Sequence, residues 1–156
     1  MSEHSSARIV ADADVLAADV LVGGPAREAL DLVRAHDWIT LVASERILEE
    51  TASILAELGD QSIAEAWRER IDDLAEVVSI PPGDHPALAA AMTGDAAHVL
   101  SFDEELVSTR TNVGLQGRVD VSLRRPDAFV SLFDPEPMYE YVVGGEYPGP
   151  DRDPRE

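Results

Sequence analysis

Arg8-Ile9-Val10-Ala11-Asp12-Ala13-Asp14-Val15-Leu16 decides the fold. An apolar run this short reads as a buried strand, and it stops on two aspartates. In extended geometry Asp12 and Asp14 share one side of the chain, away from Ala11 and Ala13. If the strand is central in a parallel sheet, both carboxylates lie at its carboxyl end, where open α/β sheets place their sites. Asp14 can equally be read as the cap of the helix that follows.

Working outward, strands and helices alternate. Val15 to Val22 reads as a helix, closed by Gly23-Gly24, and Pro25 opens another. Trp38 to Ala43 is a second buried strand. Ser44 caps a helix over Glu45 to Leu58, which Gly59 ends. Ser62-Ile63-Ala64-Glu65 has the form of a capping box for a helix running to Leu74. Ala75 to Ile80 is a third strand, and Pro86 starts an alanine-rich helix. His98 to Phe102 is a fourth strand, Val119 to Leu123 a fifth, and Pro126 begins a helix to Phe133. Such alternation implies crossover connections, hence an α/β fold: a three-layer α/β/α sandwich with a mostly parallel central sheet. The expected organisation is a polar terminus over 1–7, one domain over 8–134 and an acidic, Pro/Gly-rich extended tail over 135–156. Met138, Tyr139, Tyr141, Val142 and Val143 give that tail apolar groups able to dock on the body.

The 156 residues carry a net charge of −19, from 31 acidic residues against 12 basic ones, and every basic residue is arginine. With 45% hydrophobic residues in clear periods, the chain builds a core rather than staying disordered. The composition resembles that of proteins of salt-loving archaea. At 1 M salt the Debye length is only about 3 Å, so surface carboxylates scarcely repel one another. Acidity therefore does not exclude a nucleic-acid substrate. The absence of cysteine excludes disulfides, thiolate catalysis and Cys-zinc sites. No apolar run reaches membrane length and none reads as a secretion signal, so a cytoplasmic protein without a membrane partner is expected. Histidine pairs at zinc-ligand spacing, Gly-rich phosphate loops and nucleophile elbows are likewise missing. A receiver-like regulatory domain also gathers acids at strand ends, but it wants a lysine, and this chain has none.

Among so many acids a single carboxylate carries little information. Asp103 taken alone is an N-cap, Asp84 a turn residue and Glu50 one more solvated acid. Their arrangement says more, because acids at the ends of separate strands converge. Converging carboxylates repel unless a cation sits between them. Oxygen ligands suit Mg²⁺ or Mn²⁺, and two such ions roughly 3.5–4 Å apart can drive phosphodiester hydrolysis.

Residues 9–16, with the helix after Ser44 and the segment Ser101-Phe102-Asp103-Glu104-Glu105-Leu106, resemble the PIN domain, a fold of metal-dependent ribonucleases that include toxins of toxin–antitoxin pairs. Arg125-Pro126-Asp127-Ala128-Phe129-Val130 resembles its closing segment, so the likeness spans residues 8 to 133. The resemblance implies strand order 3-2-1-4-5 and an endoribonuclease. Asp12, Glu50, Asp84 and Asp103 would be its catalytic and metal-holding residues, with Mg²⁺ or Mn²⁺ as cofactor. Glu49 competes with Glu50, and the third aspartate falls at His85 or, one residue earlier, at Asp84. Asp14 stands where the family usually has Asn or Ser. RNA is the implied substrate; an antitoxin or other protein partner, or a homodimer, is compatible with the resemblance. A catalytically inactive protein- or RNA-binding module is the alternative. Between Val107 and Pro126, Arg110, Arg118, Arg124 and Arg125 outnumber the single acid Asp120, which nominates Arg110 and Arg118 for substrate contact.

Overall fold

The computed structural model describes residues 6–80, 85–103 and 121–150. Five strands form one parallel sheet, β1 (Arg8–Ala11), β2 (Thr40–Ser44), β3 (Ala75–Val78), β4 (His98–Leu100) and β5 (Ser122–Arg124), in the order β3-β2-β1-β4-β5. Seven helices are present among the described residues: α1 (Ala13–Leu21), α2 (Gly24–Arg34), α3 (Glu45–Leu58), α4 (Gln61–Leu74), α5 (Pro86–Thr93), α6 (Pro126–Leu132) and α7 (Pro135–Val142). The architecture is α/β and compatible with three layers. None of these helices is long and apolar enough to cross a membrane.

β1 is the central strand, pairing with β2 on one side and β4 on the other. All four of its residues are buried, the continuous pattern that a parallel strand covered on both faces requires. Even Arg8 is buried; its Nε donates to the Gly94 carbonyl at 2.7 Å and its guanidinium pairs with Glu76. β3 and β5, at the two edges, carry half-buried or exposed residues. The core is built of Ile9, Val10, Leu16, Leu30, Leu41, Ile47, Leu48, Leu55, Leu100, Leu123 and Phe129.

Three local expectations change. Helix α1 begins at Ala13, so Asp12 and not Asp14 is its N-cap. Helix α4 is capped by Asp60, whose carboxylate accepts from the Ile63 amide at 2.9 Å, in place of the box at Ser62. The extended tail is replaced over Pro135–Val142 by α7, which starts as helices do, with an Asp134 cap and Pro135 behind it. The residues of this stretch hold on to distant partners. Tyr139 meets Trp38 edge-on at 5.4 Å, and the Tyr147 hydroxyl lies 2.6 Å from Nε2 of the buried His36.

The sheet order reverses direction at β1. From β1 the chain steps outward to β2 and β3, then returns to the other side of β1 for β4 and β5. In a doubly wound sheet the crevice at such a switch point, outside the carboxyl ends of the strands, is where ligands bind. Here that switch point lies between β1 and β4.

Candidate functional site

Two chain segments leave the sheet side by side at the switch point. The Asp12 amide donates to the Leu100 carbonyl at 2.9 Å, and the Ser101 amide to the Arg124 carbonyl at 3.0 Å. Strand pairing therefore continues one residue past β1 and β4, fixing the backbone from which the polar side chains project.

Asp12 is 9% exposed. One of its oxygens, Oδ1, accepts from the Ala13 amide at 2.8 Å; the other, Oδ2, accepts from the Ser101 hydroxyl at 3.0 Å. Ser101 is fully enclosed, and its hydroxyl in turn accepts from the Asp103 amide at 3.0 Å. One hydroxyl thus ties the ends of β1 and β4 together. The Nε2 atom of His85, which caps α5, lies 3.7 Å from Asp12 Oδ2. Its other ring nitrogen accepts from the Ala87 amide at 3.2 Å, which leaves the ring proton on the side facing Asp12.

Asp14, in the first turn of α1, reaches across to β4. Its Oδ2 accepts from the Phe102 amide at 3.1 Å, while Oδ1 is buried with no hydrogen-bond partner among the described residues. Burial raises its pKa above the ordinary aspartate value, and the Asp12 charge adds to that. Bonds from the Phe102 and Val15 amides oppose the rise, and the charge of Asp103 reinforces it. The Asp14 carboxylate therefore feels the charges of two aspartates, one on its own segment and one at the end of β4. On the β5 side, the Arg125 guanidinium lies 5.4 Å from the centre of the Phe102 ring, with its Nε 3.5 Å from Asp127.

Of the residues nominated from the sequence, Asp12 and Asp103 come together, through Ser101. Glu50 lies on α3, half exposed, with its carboxylate 3.2 Å from Arg46 Nε, and no contact described ties it to the aspartates. Asp84, Arg110 and Arg118 lie outside the described residues. Among the described residues no group of three or more His, Asp or Glu side chains is already arranged to hold a metal ion. Asp14 and His85 enter by routes the sequence conceals. Asp14 reads from the sequence equally as a strand-end acid or a helix cap, but α1 starts two residues earlier than that cap requires, and His85 reads only as a displacement of an acid. The only signal for Asp14 was its two-residue spacing from Asp12.

The model of a family of unknown function, DUF7384, matches residues 3–155. No PIN-domain model matches, and the expected membership is corrected accordingly. The resemblance rested on short strand-end patterns and a strand order. Many doubly wound parallel sheets share both, because the topology itself gathers polar residues at the carboxyl ends of strands. No curated protein matches the chain, and no solved structure does.

Proposed function

We propose that this chain, which belongs to the family of unknown function DUF7384, is a divalent-cation-dependent endoribonuclease acting at the crevice between β1 and β4. The observation that carries the reading is that Ser101 ties the Asp12 carboxylate to the Asp103 backbone, while the buried Asp14 carboxylate beside them feels the charges of both aspartates. In the proposed three-layer arrangement, right-handed crossovers cover both faces of the sheet and wall this crevice.

The donor set fits Mg²⁺ or Mn²⁺. Carboxylates and a hydroxyl are hard oxygen donors, and Asp14 holds a buried oxygen with no partner among the described residues while its neighbours' charges oppose its ionisation. Asp12, Asp14 and Asp103 would hold the ion, drawn closer together than they stand now, with Asp84 the adjacent candidate. When bound, the ion would supply Lewis acidity and a more acidic water for attack on a phosphodiester. The protein's own part is positional. Ser101 keeps Asp12 and Asp103 in register, and the Phe102 amide aims Asp14 at the same space. RNA is the preferred substrate because the next segment, Val107 to Pro126, is the one stretch where arginines outnumber acids.

One observation favours the inactive binding module as the second reading. Both Asp12 oxygens already accept hydrogen bonds and His85 stands beside one of them, so this carboxylate has partners without a cation. Incubating the purified chain with single-stranded RNA, and separately with DNA of the same sequence, in Mg²⁺, Mn²⁺ or chelator separates the two readings. Cation-dependent cleavage of RNA supports the enzyme. RNA bound but uncleaved under every condition supports the module, and neither binding nor cleavage overturns both.

A further inference from the structure

We infer that His85 donates its Nε2–H to a phosphate oxygen of the bound RNA, as a fixed substrate-holding group and not as a ligand of the cation. The inference rests on the RNA reading above and adds to it the group that grips the phosphate. His85 caps α5, and its Nε2 lies 3.7 Å from Asp12 Oδ2. Its position is set by the helix behind it, because Ala87, Ala90 and Ala91 of α5 are buried in the core.

The other ring nitrogen decides what Nε2 can do. Nδ1 accepts from the Ala87 amide at 3.2 Å, and a nitrogen that accepts carries no proton. The proton of the neutral ring therefore sits on Nε2. To ligate a cation, Nε2 would have to pass that proton to Nδ1, and two N–H groups would then face each other at the start of α5. His85 is arranged to donate.

The neighbouring donors are already committed. The Ala13 amide and the Ser101 hydroxyl are taken by Asp12, the Phe102 amide by Asp14, and the Asp103 amide by Ser101. The His85 Nε2–H has no hydrogen-bond partner among the described residues, since 3.7 Å to Asp12 exceeds hydrogen-bond length. Its side chain is 33% exposed, so a ligand can reach it. Such a donor calls for an acceptor oxygen, and the anionic oxygen of a phosphate makes the stronger bond. A neutral donor also acts by contact alone, so molar salt, which screens charge within about 3 Å, leaves it its strength.

The test works at about pH 8, above the ordinary histidine value of about 6.5, in molar KCl. Binding of a short, labelled, single-stranded oligouridylate is followed by fluorescence anisotropy in chelator, in the Asp12→Asn background, which removes the charge that would repel a phosphate when no cation is bound. Cleavage in Mn²⁺ is followed with Asp12 intact. Asn caps a helix well, so His85→Asn keeps the cap and loses only the reach. It should raise Kd about tenfold and lower kcat/KM at least as much, with the melting temperature within a few degrees of its parent and Mn²⁺ affinity unchanged. His85→Gln, whose longer amide carries an N–H toward the same space, should bind RNA more tightly than His85→Asn although it caps less well and melts lower. Parental Kd in Asp12→Asn/His85→Asn, or a binding order of the two variants that follows their melting order, overturns the assignment while the ribonuclease reading stands. A fall of about tenfold in Mn²⁺ affinity in His85→Asn makes the residue a ligand and overturns it too. If the Asp12→Asn parent binds no RNA, parental kcat/KM in His85→Asn overturns it. A wild-type chain that neither binds nor cleaves RNA overturns that reading, and the assignment with it.

Discussion

At the scale of single residues, Asp12, Ser101 and Asp14 do different work. Asp12 is both the cap of α1 and the proposed principal ligand. Asn caps a helix as well as Asp does, so Asp12→Asn should keep the fold, with melting within a few degrees of wild type. The same change should lower Mn²⁺-dependent RNA cleavage by at least about a hundredfold. Ser101→Ala removes a donor from Asp12 and leaves the Asp103 amide without its acceptor. Denaturant unfolding in molar KCl should show a loss of about 1–3 kcal/mol, the usual consequence of orphaning an enclosed polar group. Asp14 behaves oppositely, because folding raises its pKa, chiefly through burial. The folded state then holds the proton more tightly than the unfolded chain does. Its favourable contribution is complete below the ordinary aspartate value of about 3.9 and is lost as pH rises through the raised folded value. Asp14→Asn, which can still accept from the Phe102 amide, should therefore melt higher than wild type at neutral pH. That gain should narrow as pH falls toward 3.9, and a gain independent of pH would contradict the assignment.

At the scale of elements, what could be read in advance was what local chemistry dictates. Helix α3 begins and ends where Ser44 and Gly59 say it must. The buried strands β1, β2 and β4 announce themselves as apolar runs because both their faces are covered. Helix α7 gave no such notice. Its eight residues are too few for an apolar period, and Tyr139 is fixed by Trp38, far away in sequence. The site divides the same way. Asp12 and Asp103 were legible as strand-end acids. The role of Asp14 depends on an amide from another strand, and that of His85 on how α5 returns to β1, neither of which a linear pattern encodes. The end of α5 offers a test of packing between elements. A Cβ on Gly94 would stand 2.5 Å from Val42 Cγ1 and 3.0 Å from the Ala90 carbonyl oxygen. Gly94→Ala should therefore cost about 1–3 kcal/mol by overpacking α5 against β2, measurable by the same denaturant titration.

At the scale of the whole molecule, charge sets the conditions under which everything else operates. With −19 net charge, lowering ionic strength from molar KCl to 0.01 M extends the reach of repulsion to about 30 Å. A fall in melting temperature of several degrees is expected across that change, and an unchanged temperature would refute it. The position of β1 has a consequence for synthesis. Of the five strands, β1 is made before the others yet ends in the middle of the sheet, and its second edge waits for His98–Leu100. At roughly 5–20 residues per second, that edge goes unpaired for several seconds while the nascent chain lengthens. For that interval the open edge of a buried strand is a template for any other strand. A pulse of synthesis stopped before β4 should leave chains that aggregate or recruit holdases, whereas one stopped after β5 should not.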